Sequence, residues 1–172
     1  MDALYVLKNR RSVRAFRDEQ IREDQLNAIL EAGTYAPTGM GRQSPVMVVV
    51  QDRELISKLS RMNAAVMGMD GDPFYGAPTV IIVFGNPNAA MTWLEDGSLV
   101  MGNLLNAAFA VGVDSCWIHR AKQVFETDEG KALMKEWGVP DGCVGIGNCI
   151  LGYAKNPLPA PKPRKADYII RV

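Results

Sequence analysis

Asp96-Gly97-Ser98-Leu99-Val100-Met101-Gly102-Asn103-Leu104-Leu105-Asn106-Ala107-Ala108-Phe109-Ala110-Val111 runs directly into Gly112 and then Val113-Asp114-Ser115-Cys116-Trp117-Ile118. The first stretch is apolar nearly all round, which marks a helix buried by its own domain or by a partner. Gly112 stops it, and the apolar run that follows reads as a strand. On the N-terminal side, Val46-Met47-Val48-Val49-Val50 is apolar on both faces, the pattern of a strand central in a covered sheet. Residues 79–84 read as a second buried strand. On the C-terminal side, residues 143–151 form a fourth, and Gly145 and Gly147 within it admit a close neighbour. Helical periodicity covers residues 23–32, closed by Gly33, then 53–69, and 127–137, closed by Gly138. Asp2 caps a short first helix to about residue 8, with Leu4, Val6 and Leu7 partly buried. Strands alternating with helices give a mixed α/β or α+β class.

Residues 34–45 and 70–78 are loops rich in Gly and Pro. Residues 154–165 hold four prolines and read as an extended arm, with a final short strand at 168–171. An arm with no core of its own packs on another subunit. With the over-apolar helix at 96–111, it points to a homodimer.

The chain has 172 residues, 48% apolar and 22% charged, which suits one ordinary domain over 1–172. Its formal net charge of zero argues against general nucleic-acid binding, which needs a basic face. No apolar run approaches the ~18 residues of a membrane span, and the N-terminus lacks the pattern of a secretory leader. Cys116, Cys143 and Cys149 read as buried reduced thiols, which suits a cytoplasmic protein. Cys116 and His119 have C-x-x-H spacing without a second ligand pair, so no metal site is expected. His119 is the single histidine, and no G-x-S-x-G elbow presents a serine to it; Ser98 is a weak substitute.

Within this neutral chain, cations gather near both ends: Arg10-Arg11-Ser12-Val13-Arg14 and Pro161-Lys162-Pro163-Arg164-Lys165. In an extended segment residues 10, 12 and 14 share a side, so two arginines and a hydroxyl suit a phosphate. Each charge-assisted hydrogen bond there contributes ~1.5–3 kcal/mol. A solvated basic turn after a helix is the alternative reading. Lys162 and Arg164 taken alone read first as a soluble tail, ahead of an anion site. Pro37-Thr38-Gly39-Met40-Gly41-Arg42-Gln43 is either a nest of backbone N–H donors or a plain connection. Asn63 reads as a partly exposed, solvated side chain.

Taken in order, these segments resemble the nitroreductase family of FMN-dependent NAD(P)H oxidoreductases. The resemblance rests on residues 8–16 (Lys-Asn-Arg-Arg-Ser-Val-Arg-Ala-Phe) and 36–45 (Ala-Pro-Thr-Gly-Met-Gly-Arg-Gln-Ser-Pro). It continues through Tyr75-Gly76-Ala77-Pro78, the stretch from Asp96 to Ile118, Gly152-Tyr153-Ala154 and residues 161–165. It implies an α+β sandwich with a central mixed β-sheet flanked by helices. It also implies an intertwined homodimer with a swapped C-terminal arm (154–172) and FMN at the interface.

By position, the resemblance assigns Arg10, Arg11 and Ser12 to the FMN phosphate and ribityl chain and Arg14 to the pyrimidine edge of the ring. Lys162 and Arg164 become a phosphate clamp. Pro37, Thr38 and Gly39 become the second subunit's loop, with Gln43 and Asn63 as weaker carry-overs. Cys116 and Trp117 pass backbone beside the flavin. No side chain is required as a catalytic nucleophile, since the flavin carries the redox chemistry; Arg14 has an electrostatic role. NADH or NADPH donates, and a nitroaromatic or quinone accepts, in a ping-pong cycle. A non-enzymatic FMN store or redox sensor, and a specialised member acting on flavin or on a halogenated substrate, are the alternatives. The chain is short for the family, and residues 85–96 lack a long helical insertion, which implies an open pocket.

Overall fold

Alternate residues of one strand, Val80, Ile82 and Phe84 against Ile81 and Val83, feed two separate apolar layers on opposite faces of a sheet. The computed structural model describes residues 2–172. Its helices are α1 (Ala3–Asn9), α2 (Glu23–Thr34), α3 (Arg53–Met67), α4 (Trp93–Ala110), α5 (Ala121–Glu126) and α6 (Asp128–Glu136). The strands are β1 (Val46–Val50), β2 (Thr79–Gly85), β3 (Asp114–Ile118) and β4 (Val144–Gly152). They pair antiparallel in the order β1-β2-β4-β3. The fold is an α+β sandwich, but its sheet is wholly antiparallel rather than mixed; among the described residues, parallel pairing occurs as an isolated bridge outside the strands, Ser12 with Ser115. One layer joins the sheet to residues of α3, α5 and α6, such as Leu59, Phe125 and Leu133. The other joins it to α2 and α4 through Leu26, Ile29, Met101 and Leu104.

Several sequence expectations shift for identifiable reasons. β1 is apolar on both sides, yet it lies at the sheet edge rather than the centre. Met47 packs into one layer and Val46 and Val48 into the other, so both faces are partly covered while one edge stays open. β2, buried at every residue, is a central strand. Gly33 does not stop α2. A Cβ there would stand 2.8 Å from Leu104 Cδ2, so this glycine instead allows α2 to approach α4 closely. Leu4 and Leu7 are exposed, and only Val6 of α1 is buried. The sequence pattern gives no sign of α5. The expected last strand at 168–171 is instead a 3-10 turn at Ala166–Tyr168 followed by unpaired chain. A strand needs a neighbouring edge, and residues 155–172 lie exposed with none beside them among the described residues.

Candidate active site

The segment after α1 is strapped to the ends of β3 and β4. Val13 N donates to Ser115 O at 3.0 Å, and Arg17 N to Tyr153 O at 2.9 Å. Phe16 N reaches Tyr75 O at 3.3 Å, and Lys155 N reaches Ala15 O at 2.9 Å. Val13 and Phe16 are buried in the core, while Arg10 and Ser12 are half-buried and Arg14 is exposed. At roughly 3.3 Å per residue, Arg10 and Arg14 sit about 13 Å apart along the segment.

The two ends of the segment differ. Arg10 is half-buried, and its Nη1 is shut off from water with no protein acceptor. Ser115 Oγ, beside Ser12 in the bridge, is likewise buried and unpaired. A cationic donor sealed in this way is costly unless an anion lies on its open edge. Arg11 turns back on α1: its Nη1 donates to Lys8 O at 2.9 Å and Arg10 O at 2.7 Å, serving the helix C-terminus. Its Nε is also buried without a partner.

At the other end, Arg14 opens onto a cleft of about 420 Å³, walled also by Tyr75, Trp117, His119 and Arg120. Cys116 and Trp117 line it too. Cys116 is buried against the α3/α5 layer, while Trp117 packs over Gly147, where a Cβ would stand 2.4 Å from the indole Nε1. A larger cavity of about 560 Å³ between α5, α6 and the start of β4 shares no lining residue with this cleft, and no anticipated site residue borders it.

Asn63 is fully buried, not solvated as its sequence context suggested. Its Nδ2 donates to His119 O at 2.8 Å, and its Oδ1 accepts from Arg120 Nε at 3.1 Å. It therefore stands behind the cleft wall and fixes the β3–α5 junction. The sequence raises His119 only as a metal ligand or triad base and gives no sign of Arg120, yet both line the cleft. Arg120 sits in the left-handed region, φ 76°, immediately before α5. Non-glycine residues with positive φ are Met40, Gln43, Tyr75 and Arg120 among the described residues. Two belong to this cleft and two to the 37–43 loop. Such backbone persists only where its surroundings impose it, and it collects at functional sites.

That loop does not line the cleft. Gly39 N donates to Asp96 Oδ1 at 2.9 Å, Gln43 N to Thr38 Oγ1 at 3.0 Å, and Arg42 Nη1 to Ala89 O at 3.0 Å. These bonds anchor it over the start of α4, with Pro37 and Gln43 exposed. Lys162 and Arg164 are exposed too. Arg164 donates to Lys162 O at 3.1 Å through Nε, and no hydrogen bond joins either residue to Arg10 or Ser12 among the described residues. Burial pushes the Cys149 thiol above its ordinary value; neighbouring Cys116 adds to the effect and Arg10 opposes it. Among the described residues, no helix is long and apolar enough to cross a membrane.

Residues 7–69 match the model of the nitroreductase family. A protein of Archaeoglobus fulgidus, provisionally named an NADH dehydrogenase/NAD(P)H nitroreductase, is 30% identical over 160 residues, spanning 90% of this chain and 87% of the relative. A nitroreductase from Bacteroides fragilis, solved with bound FMN, superposes with a TM-score of 0.91 at 32% identity, covering 100% of this chain and 99% of the other. A second, from Desulfitobacterium hafniense and also with bound FMN, gives 0.89 at 28% identity over 100% and 99% of the two chains. The strapped 10–17 segment, the anchored 37–43 loop and a fold shared from end to end lead to one assignment: this chain belongs to the nitroreductase family.

Proposed function

We propose that the chain is an FMN-dependent oxidoreductase working as a single 1–172 unit within an intertwined homodimer. FMN, when bound, supplies the two-electron carrier through which hydride from NADH or NADPH reaches a nitroaromatic, quinone or similar acceptor. The observation that carries this reading is the half-buried Arg10 guanidinium with Nη1 sealed and unpaired. Two structural relatives named as holding FMN support it.

Arg10 and Ser12 hold the phosphate end, and Arg11 contributes charge while capping α1. Arg14 lies at the cleft, where a fixed positive charge steadies negative charge developing on the ring's pyrimidine edge. The backbone of Cys116 and Trp117 forms the floor, with Asn63 behind it. Pro37, Thr38, Gly39 and Gln43 serve the partner's site, and Lys162 and Arg164 close the phosphate from the swapped arm at 154–172. Their exposure on their own subunit, and the exposed Tyr168, Ile169 and Ile170, suit that role. Donor and acceptor use the same open cleft in turn, which gives ping-pong kinetics. The direct test is the visible spectrum of the purified protein, followed by anaerobic addition of NADH or NADPH. Bleaching of a flavin spectrum is the expected result. A colourless protein that takes up no FMN, or bound flavin that neither donor reduces, contradicts the proposal.

A further inference from the structure

Arg120 is a cation that the fold positions and leaves unused. It lines the cleft with Arg14. Its Nε is spent on Asn63 Oδ1, so the side chain is aimed by a fully buried amide. Nη1 and Nη2 have no hydrogen bond or ion pair among the described residues, and Arg14 has no carboxylate partner there either. Asp70 and Asp72 line the same cleft, yet neither forms an ion pair with Arg14 or Arg120 among the described residues. Both oxygens of Asp72 are occupied, Oδ1 by Ser60 Oγ and Phe74 N and Oδ2 by Gly76 N, and Asp70 lies exposed without an ion pair. The backbone at Arg120 is held at positive φ, a conformation glycine would adopt without strain, yet a long cationic side chain stands there.

We infer that Arg120, held by Asn63, is an acceptor-binding residue that selects substrates carrying a carboxylate. With Nε engaged behind the wall, the paired η nitrogens offer a planar fork matched to two carboxylate oxygens. Arg14 adds a second positive charge to the same opening without competing for that fork. This rests on the oxidoreductase reading above, and it deepens that reading by naming the class of acceptor.

The experiment pairs isosteres that differ in charge. Benzoate and benzamide are titrated calorimetrically into the protein, as purified and after incubation with FMN. 4-Nitrobenzoate and 4-nitrobenzamide are then compared as acceptors through the ratio of their kcat/KM values. The wild-type protein should bind benzoate at least about fivefold more tightly and should favour nitrobenzoate by a similar factor. Arg120→Met should bring both ratios close to one, and Arg120→Lys should retain part of the preference. Raising the salt concentration should shrink the wild-type ratios. Equal affinities in the wild-type protein, or a preference that survives Arg120→Met, overturns the inference. If NADH and NADPH both fail to reduce the flavin, the oxidoreductase reading fails instead, and the benzoate titration still decides on Arg120.

Discussion

Ser12 lies opposite Ser115 in a parallel bridge whose hydrogen bond, from Val13 N to Ser115 O, is made entirely by backbone. The Ser12 side chain can therefore be removed without undoing the strap. Ser12→Ala should weaken FMN binding several-fold, and Arg10→Met by more than about tenfold. Quenching of FMN fluorescence on titration with apoprotein measures both. Unchanged affinity in Arg10→Met would remove the phosphate assignment.

Asn63 links α3 to the β3–α5 junction through His119 O and Arg120 Nε. Asn63→Ala leaves these groups unpaired and should cost about 1–3 kcal/mol of stability. Urea unfolding of the FMN-free protein should show a lower midpoint with an unchanged slope. A variant as stable as the parent would show that water replaces the amide.

Gly130 marks where α6 touches α5. A Cβ there would stand 2.2 Å from Val124 O and 2.6 Å from Phe125 Cα, both backbone atoms that no side-chain rotation can move aside. Gly130→Ala should destabilise by about 1–3 kcal/mol despite its better helix propensity. Gly102→Ala, in α4 with open space around its Cβ, is the control and should be neutral or mildly stabilising.

Cys149 gives a dependence on pH. Burial raises its thiol above the ordinary value of 9.0, so the folded protein keeps the proton after an unfolded chain would release it. Stability is therefore full below that value and falls as pH rises past it, by up to about 1.4 kcal/mol per pH unit for this one group. Cys143 is shifted the same way by burial. Denaturation midpoints at pH 8 and pH 10 should differ more in the parent than in Cys149→Ala. Identical differences would mean that the thiol does not contribute.

The arm supplies a test of assembly. Ending the chain after Ala154 removes Lys162 and Arg164 while sparing both apolar layers. Light scattering should then report a loss of dimer, and FMN affinity should fall more than in either single-site variant. A dimer that persists with full FMN affinity would refute the swapped arm.

Most of the architecture was legible because burial writes a clear period. β2 and β4 read as apolar runs, α4 as an over-apolar helix, and α6 as a periodic stretch closed by Gly138. The position of β1 was not legible, because an apolar run reports covered faces and says nothing about a free edge. The short α5, of 6 residues, has too few turns to show a period. At the site, the charged and glycine-rich segments stood out by composition, whereas Asn63 entered only through the resemblance and read as solvated, and Arg120 did not stand out at all. Their significance lies in a contact across 57 positions of chain, which no local pattern encodes. Gly33 misled for a related reason: its role is to let α4 come near, and tertiary packing overrode its tendency to end a helix.

At Met40, Gln43, Tyr75 and Arg120, whose φ angles are positive, we expect heat resistance to be set against chemistry. At each of these positions a glycine or asparagine would sit more comfortably on the backbone. A mutant library selected only for surviving high temperature should drift toward those two residues there, while one selected for turnover should resist the drift. Comparing the two populations would map where this enzyme gives up durability, with no need for a bound ligand to point the way.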